Sequence, residues 1–179
     1  MAVSFRNATL ADAPAIAALH VAIWRPTYRH LAPAAAYEAL DEARRLARWR
    51  DVLGRPDPER LVLLAEDDGR LVGFAEAARP SAAEIGERWD VKHLYVATDR
   101  ARRGIGRALL GRLARRLAGR EPQGVALGVV VGNDPALAFY ASLGGTIVGR
   151  YADPGPLWPS DNLIVAWDDT AALAQRCAA

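Results

Sequence analysis

Residues 96–118 read VATDRARRGIGRALLGRLARRLA. A short apolar run ends, two glycines follow two residues apart, and Ile105, Leu109, Leu113 and Leu117 then recur at spacing four. That pattern predicts a strand, a tight turn and an amphipathic helix. Gly104 and Gly106 carry no Cβ, so the backbone there can approach a ligand closely. The helix after them opens with unpaired N–H groups and the positive end of its dipole, which together suit a diphosphate. The same residues also suit a plain β–α turn, and this stretch alone does not separate the two. It is not the dinucleotide fingerprint, whose third glycine position is occupied here by Leu109.

Working outward, Val91 to Val96 reads as the strand feeding the turn. Upstream, Leu61 to Ala65 and Leu71 to Ala75 flank Asp67-Asp68-Gly69-Arg70, a hairpin signal. Val3 and Phe5 alternate with polar neighbours as a first strand. Thr9 or Asp12 can cap a helix over AIAALHVAIW, with Pro14 in its first turn and Pro26 interrupting it. Residues 34–53 read as one further helix with Tyr37, Leu40, Leu46, Trp49 and Leu53 as its apolar positions. Downstream, Val125 to Val131 is apolar throughout, as a central buried strand would be. A short helix follows from Asp134 or Pro135 to Leu143. Thr146 to Tyr151 and Leu163 to Trp167 form a closing antiparallel pair around the loop ADPGPLWPSDN.

VATDRARRGIGRALL resembles the acyl-CoA-binding motif of the GNAT acyltransferase superfamily, R/Q-x-x-G-x-G/A after a strand. Ala101 departs from the first position, while Arg100, Arg102 and Arg103 keep positive charge nearby. VVVGNDPALAFYASLGG resembles the superfamily's N-x-x-A-x-x-F-Y-x-x-x-G segment through Asn133, Ala136, Phe139, Tyr140 and Gly144. The stretch AIAALHVAIWRPTYRHLAP is similar to the opening helices of a bacterial branch that includes polyamine acetyltransferases. The resemblance implies one α/β (α+β) domain of GNAT fold over residues 1–179. Its mixed central sheet would have about six to seven strands and about four flanking helices. Two parallel strands would splay apart at the cofactor site.

The resemblance also implies an N-acetyltransferase in which a primary amine attacks acetyl-CoA directly, with no metal. The acceptor would be a small amine or a polyamine; a protein N-acetyltransferase or a non-catalytic acyl-CoA-binding module are the alternatives. The backbone of Leu94, Tyr95 and Val96 would bind the pantetheine arm. Arg102, Arg103, Gly104, Ile105, Gly106 and Arg107 would hold the phosphates. Asn133 would bond the cofactor or cap the helix after it. Tyr140 would protonate the leaving thiolate, or sit as a half-buried aromatic. For the base, Asp90, Glu76, His93 and a water stay open. Trp24, Tyr28 and Trp158 would wall the acceptor, with Asp153 and Asp161 available for a second positive charge.

Composition sets the remaining bounds. Hydrophobic residues make up 51% of the 179 and charged ones 25%, so the chain is globular rather than disordered. Net charge is only +2, although residues 100–120 hold eight arginines and no acid. CoA phosphates and a solvated helix face account for that run, so no nucleic-acid partner is expected. A single cysteine, Cys177, excludes a disulfide framework. The N-terminal residues resemble neither a signal peptide nor a membrane span, which points to a soluble cytoplasmic protein without a membrane partner. Pairing through the last strands would give a homodimer.

Overall fold

A computed structural model describes residues 3–178. The single-domain expectation covers residues 1–179, of which 1, 2 and 179 lie outside the described residues. The described chain runs β1 (Ser4–Asn7), α1 (Ala13–Thr27), α2 (Ala34–Ala39), α3 (Glu42–Gly54), β2 (Leu61–Asp67), β3 (Arg70–Ala78), β4 (Trp89–Val96), α4 (Ile105–Leu117), β5 (Val125–Val130), α5 (Asp134–Ser142), β6 (Thr146–Asp153), β7 (Ser160–Trp167) and α6 (Thr170–Arg176). The seven strands form one mixed sheet in the order β1-β2-β3-β4-β5-β7-β6. Every neighbouring pair is antiparallel except β4 and β5.

Two helical layers cover the sheet. The stripe Ile105, Leu109, Leu113 and Leu117 of α4 is buried against strands β2 to β5, with Leu173 of α6 and Tyr140 and Leu143 of α5 in the same cluster. Burying each such Leu contributes about 1.5–3 kcal/mol relative to leaving it in water. On the other face, Ile16 and Ala17 of α1 and Trp49 of α3 pack on Leu64 and Phe74. The hairpin between β2 and β3 turns at Asp68 and Gly69, both at positive φ (54° and 75°), the backbone that a two-residue turn requires.

Three local expectations change. Pro26 does not interrupt α1 but lies in its last turn, because Tyr28 N–H still bonds the Trp24 carbonyl before the helix stops. The single helix expected over residues 34–53 is two: Leu40 turns extended, and the Asp41 carboxylate accepts from Arg44 N–H at 2.5 Å as the cap of α3. A terminal helix, α6, is capped by Asp169 and packs on α4. The described residues therefore hold six helices, where about four were expected to flank the sheet.

The arginine run is also placed. Arg100 pairs with Asp67 at 3.0 Å, Arg112 lies 4.1 Å over the Phe5 ring, Arg116 bonds Asn7, and Arg120 reaches the Pro58 carbonyl. Those four side chains tie the edge of the sheet and its hairpin together, while Arg115 and Arg116 stay exposed to solvent. Among the described residues, Arg102, Arg103 and Arg107 have no ion pair.

Candidate active site

β4 and β5 pair only at Trp89 with Val125 and Asp90 with Ala126, and then diverge. β5 continues along β7 to Val130, so the stretch Val91–Val96 has β3 on one side and no strand on the other. Backbone donors and acceptors on that free edge need a partner. A cavity of about 250 Å³ fills the gap, lined by Val91 to Val96, Leu127 to Val129, Asn133, Ala136 and Tyr140. Leu94 and Val96 are partly buried and pack against the core while lining the gap.

At the far end of β4, a turn over Thr98–Arg100 leads into the glycine turn. Arg102 (φ 60°) and Gly104 (φ 77°) both adopt the left-handed conformation, and Gly104 caps α4. The first bond of the helix is Ala108 N–H to the Gly104 carbonyl, so the earlier N–H groups project from the helix end. A Cβ built on Gly104 would meet nothing within 4 Å, so conformation rather than crowding requires glycine there. Strain at a non-glycine such as Arg102 is typical of ligand-holding loops.

Asn133 and Tyr140, at the two ends of α5, line the same gap. The Asn133 carbonyl oxygen caps α5 through a 3.4 Å bond from Ala136 N–H, and its amide nitrogen stays available. Tyr140 packs against Phe139 and Trp167, and burial pushes its phenol above the ordinary value, so the hydroxyl stays protonated.

A second cavity of about 320 Å³ opens on the opposite side of the bulge in β4. Glu76 stands opposite His93 and Ala77 opposite Val91, so Lys92 is an extra residue in the strand. The bulge resets the alternation. Asp90, His93 and Tyr95 all face this cavity, while Trp89, Val91, Leu94 and Val96 pack under α4. Val91 to His93, Tyr95, Tyr28 and Gly128 line both cavities, which therefore meet at the bulge. Gly128 makes room on β5: a Cβ there would lie 2.3 Å from the Tyr151 hydroxyl.

Trp24, Tyr28 and Trp158 come together in this second cavity, with ring centroids 5.1–5.8 Å apart. Trp24 is also core, 3% exposed. Asp153 lines the cavity, whereas Asp161 pairs with Arg150 at 2.5 Å and is not among its walls.

The base candidates differ sharply in surroundings. Asp90 pairs with Lys92 at 2.5 Å through one oxygen; its other oxygen has no bond within the described residues and is not enclosed. Burial raises its pKa above the ordinary carboxylate value, against the pull of Lys92. Glu76 is fully buried, with one oxygen on Arg60 (2.7 Å) and the other on Arg48 (3.1 Å), and it lines neither cavity. His93 lies at the junction, but its Nε2 is 3.3 Å from Arg48 Nη2, and burial holds it neutral.

Several residues of this site carry no signal in the sequence reading. His20 sits under the cavity, its Nδ1 accepting from Trp49 Nε1 at 3.3 Å, and burial lowers its pKa to about 2. Arg45 and Arg48 come from α3, and Tyr151 from β6. Arg45 had one available cue: it lies four residues before Trp49, on the buried face of its helix. Among the described residues, no group of three or more His, Cys, Asp or Glu could hold a metal, and no helix is long and apolar enough to cross a membrane.

Comparison with known proteins places this arrangement. The family model described as the Acetyltransferase (GNAT) family matches residues 18–145. The uncharacterized N-acetyltransferase YuaI of Bacillus subtilis (strain 168) is 30% identical over 141 residues, 77% of this chain and 77% of that protein. The ribosomal-protein-alanine N-acetyltransferase from Brucella melitensis is 27% identical, with a TM-score of 0.68 over 92% of this chain and 99% of its own. The PaiA N-acetyltransferase from Thermoplasma acidophilum, solved in complex with coenzyme A, shares the fold at a TM-score of 0.71 and 18% identity, covering 94% of this chain and 99% of that one. A splayed parallel pair, a left-handed glycine at a helix start and a match over residues 18–145 converge on one assignment: the chain belongs to the GNAT family of acetyltransferases, which use acetyl-CoA as co-substrate.

Proposed function

We propose that this chain moves the acetyl group of acetyl-CoA onto the primary amine of a small molecule held beneath Trp24, Tyr28 and Trp158. The observation that carries this reading is the meeting of two cavities at the free edge of β4. One runs along the splayed strands past Asn133 and Tyr140. The other is walled by aromatic rings and charged groups. The residues fit a long, thin thioester with phosphates at one end. Unpaired strand backbone suits a pantetheine amide, and the N–H groups at the start of α4 with Arg102, Arg103 and Arg107 suit the phosphates.

Bound there, acetyl-CoA supplies an activated acyl carbon: the amine nitrogen bonds to it, the C–S bond breaks, and the sulfur leaves as thiolate. The chain's own groups do the rest. Backbone N–H groups on the free edge of β4 stabilise the oxyanion, a role that needs fixed donors rather than a charged side chain. Asp90 accepts the ammonium proton through its unengaged oxygen, directly or through one water, and desolvation makes it a stronger base than an exposed carboxylate. Tyr140 donates to the sulfur, since its burial keeps the phenol protonated. Glu76 holds Arg48 and Arg60 in place and has no oxygen left for proton transfer.

The test is release of free thiol from acetyl-CoA with a panel of small amines, polyamines and a peptide with an N-terminal alanine, the last because of the Brucella relative's name. Turnover with a small amine is the expected result. Absence of any acetyl-CoA-induced rise in melting temperature at millimolar ligand would overturn the reading.

A further inference from the structure

Arg45 is 7% exposed and lines the acceptor cavity from α3. Among the described residues its side chain makes no hydrogen bond and no ion pair, and its Nε is enclosed without a partner. The other buried charges nearby are matched. Glu76 takes Arg48 and Arg60, and Asp90 takes Lys92. The groups beside Arg45 offer it no anion: His20 and His93 are neutral, and burial keeps the phenols of Tyr28 and Tyr95 protonated. A buried, unmatched guanidinium is costly unless something arrives to pair with it. Its planar fork of donors matches a carboxylate oxygen for oxygen.

The cavity is polar in sense as well as in composition. Arg45 and Arg48 line it from α3, whereas Asp153 lines it from β6 and Asp90, paired with Lys92 through one oxygen, from β4. One region of the cavity thus favours an anion and the other a cation. A zwitterion satisfies both, while a diamine brings a second ammonium against Arg45.

We propose, resting on the acetyltransferase reading above, that the acceptor is a free amino carboxylate whose carboxylate pairs with Arg45, whose amine faces the β4 edge, and whose side chain lies on Trp24 and Trp158. The acceptor class thereby moves away from the polyamines suggested by the bacterial branch that the opening helices resemble.

Binding to the CoA-saturated protein tests it by titration calorimetry, with the twenty free L-amino acids, the amides of those that bind, and putrescine as probes. The expected result is at least one amino acid that binds about tenfold to a hundredfold more tightly than its own amide, the range for losing a charged hydrogen-bond pair. Arg45→Gln should erase that preference and Arg45→Lys should keep part of it, both with the parental acetyl-CoA thermal shift. The parent's comparison of acid with amide needs no variant to fold. No binding by any amino acid, equal binding by the amide, or tighter binding by putrescine overturns the proposal. Carboxylate-dependent binding with no thiol release refutes the transferase reading and leaves the Arg45 site. Thiol release without carboxylate preference does the reverse.

Discussion

The two cavities that meet at the β4 bulge are built by opposite means. The cofactor side is mostly backbone: a strand edge freed by divergence from β5, and a helix start set by the left-handed Gly104. The gap is lined by β4, by Leu127 to Val129 of β5, by Ile23 and Thr27 of α1 and by Asn133, Ala136 and Tyr140, and the glycine turn follows β4 directly in sequence. The second cavity, proposed for the acceptor, is lined mostly by side chains drawn from α1, α3, β4, β5, β6, β7 and the loop before β7. Backbone geometry tolerates changes of side chain, whereas a wall assembled from many elements can be re-specified one residue at a time. On the function proposed above, the β4–β5 gap would hold the cofactor by features that side-chain changes alter little, and the second cavity would set the acceptor.

If that division holds, variants on each side should alter different constants. The largest expected effect lies where the halves meet. Asp90→Asn should lower kcat by about 10²–10⁴-fold with little change in acetyl-CoA affinity, the range for removing a general base. Because burial raises the Asp90 pKa, parental kcat/KM should fall as pH drops through an inflection above the usual carboxylate range, where the base takes its proton. A profile that is unchanged in Asp90→Asn would exclude it as the base.

Tyr140→Phe comes next. It keeps the ring against Trp167 and removes only the hydroxyl. A loss of about 10–10³-fold in the single-turnover rate is expected, with the fold and acetyl-CoA affinity intact. An unchanged single-turnover rate would return Tyr140 to a packing role.

Gly104→Val should act on the cofactor side alone. A β-branched residue at φ 77° is strained by about 1–3 kcal/mol, and relief of that strain would turn the first N–H groups of α4. Acetyl-CoA affinity should fall by about tenfold or more, seen as a lost thermal shift, while the acceptor's KM at saturating acetyl-CoA stays near the parental value. Equal loss in both constants would mean that the two sides are not separable.

The same division explains what was legible in the sequence. Gly104, Asn133 and Tyr140 stand in runs whose spacing survives without any knowledge of tertiary contacts, and the order of elements along the chain followed from hydrophobic period and turn residues. Trp24, Tyr28 and Trp158 were legible only as aromatics in two segments; their meeting depends on how the loop after β6 folds back. The bulge at Lys92 shifts the facing of Asp90 relative to His93, and alternation alone gives no sign of it. Arg45 was hidden for a different reason. An arginine in a helix is ordinarily solvated, and only burial reveals that this one is unpaired. Asp41 as a cap was readable in principle, yet the apolar positions on both sides of it favoured one continuous helix.

The smallest expected effect tests the acceptor wall. Trp158 lies on the loop between β6 and β7, edge-on to Trp24 at 5.4 Å and to Tyr28 at 5.8 Å. Aromatic pairs of this geometry contribute about 0.5–1.5 kcal/mol beyond their buried area. Trp158 is only partly buried, so Trp158→Ala should leave the protein folded, whereas Trp24→Ala would empty a core position that is 3% exposed and cost about 3–5 kcal/mol. Trp158→Ala should raise the acceptor's KM by about threefold to tenfold, equivalent to losing one such contact. Its kcat should change less than its KM, because on the proposed reading the ring would touch the acceptor's body and not the reacting nitrogen. Acetyl-CoA affinity should not move, since Trp158 is absent from the walls of the β4–β5 gap. A shift in acetyl-CoA affinity as large as the shift in acceptor KM would show that the aromatic wall also shapes the cofactor side, and the contrast between the two halves would fail at its most exposed residue.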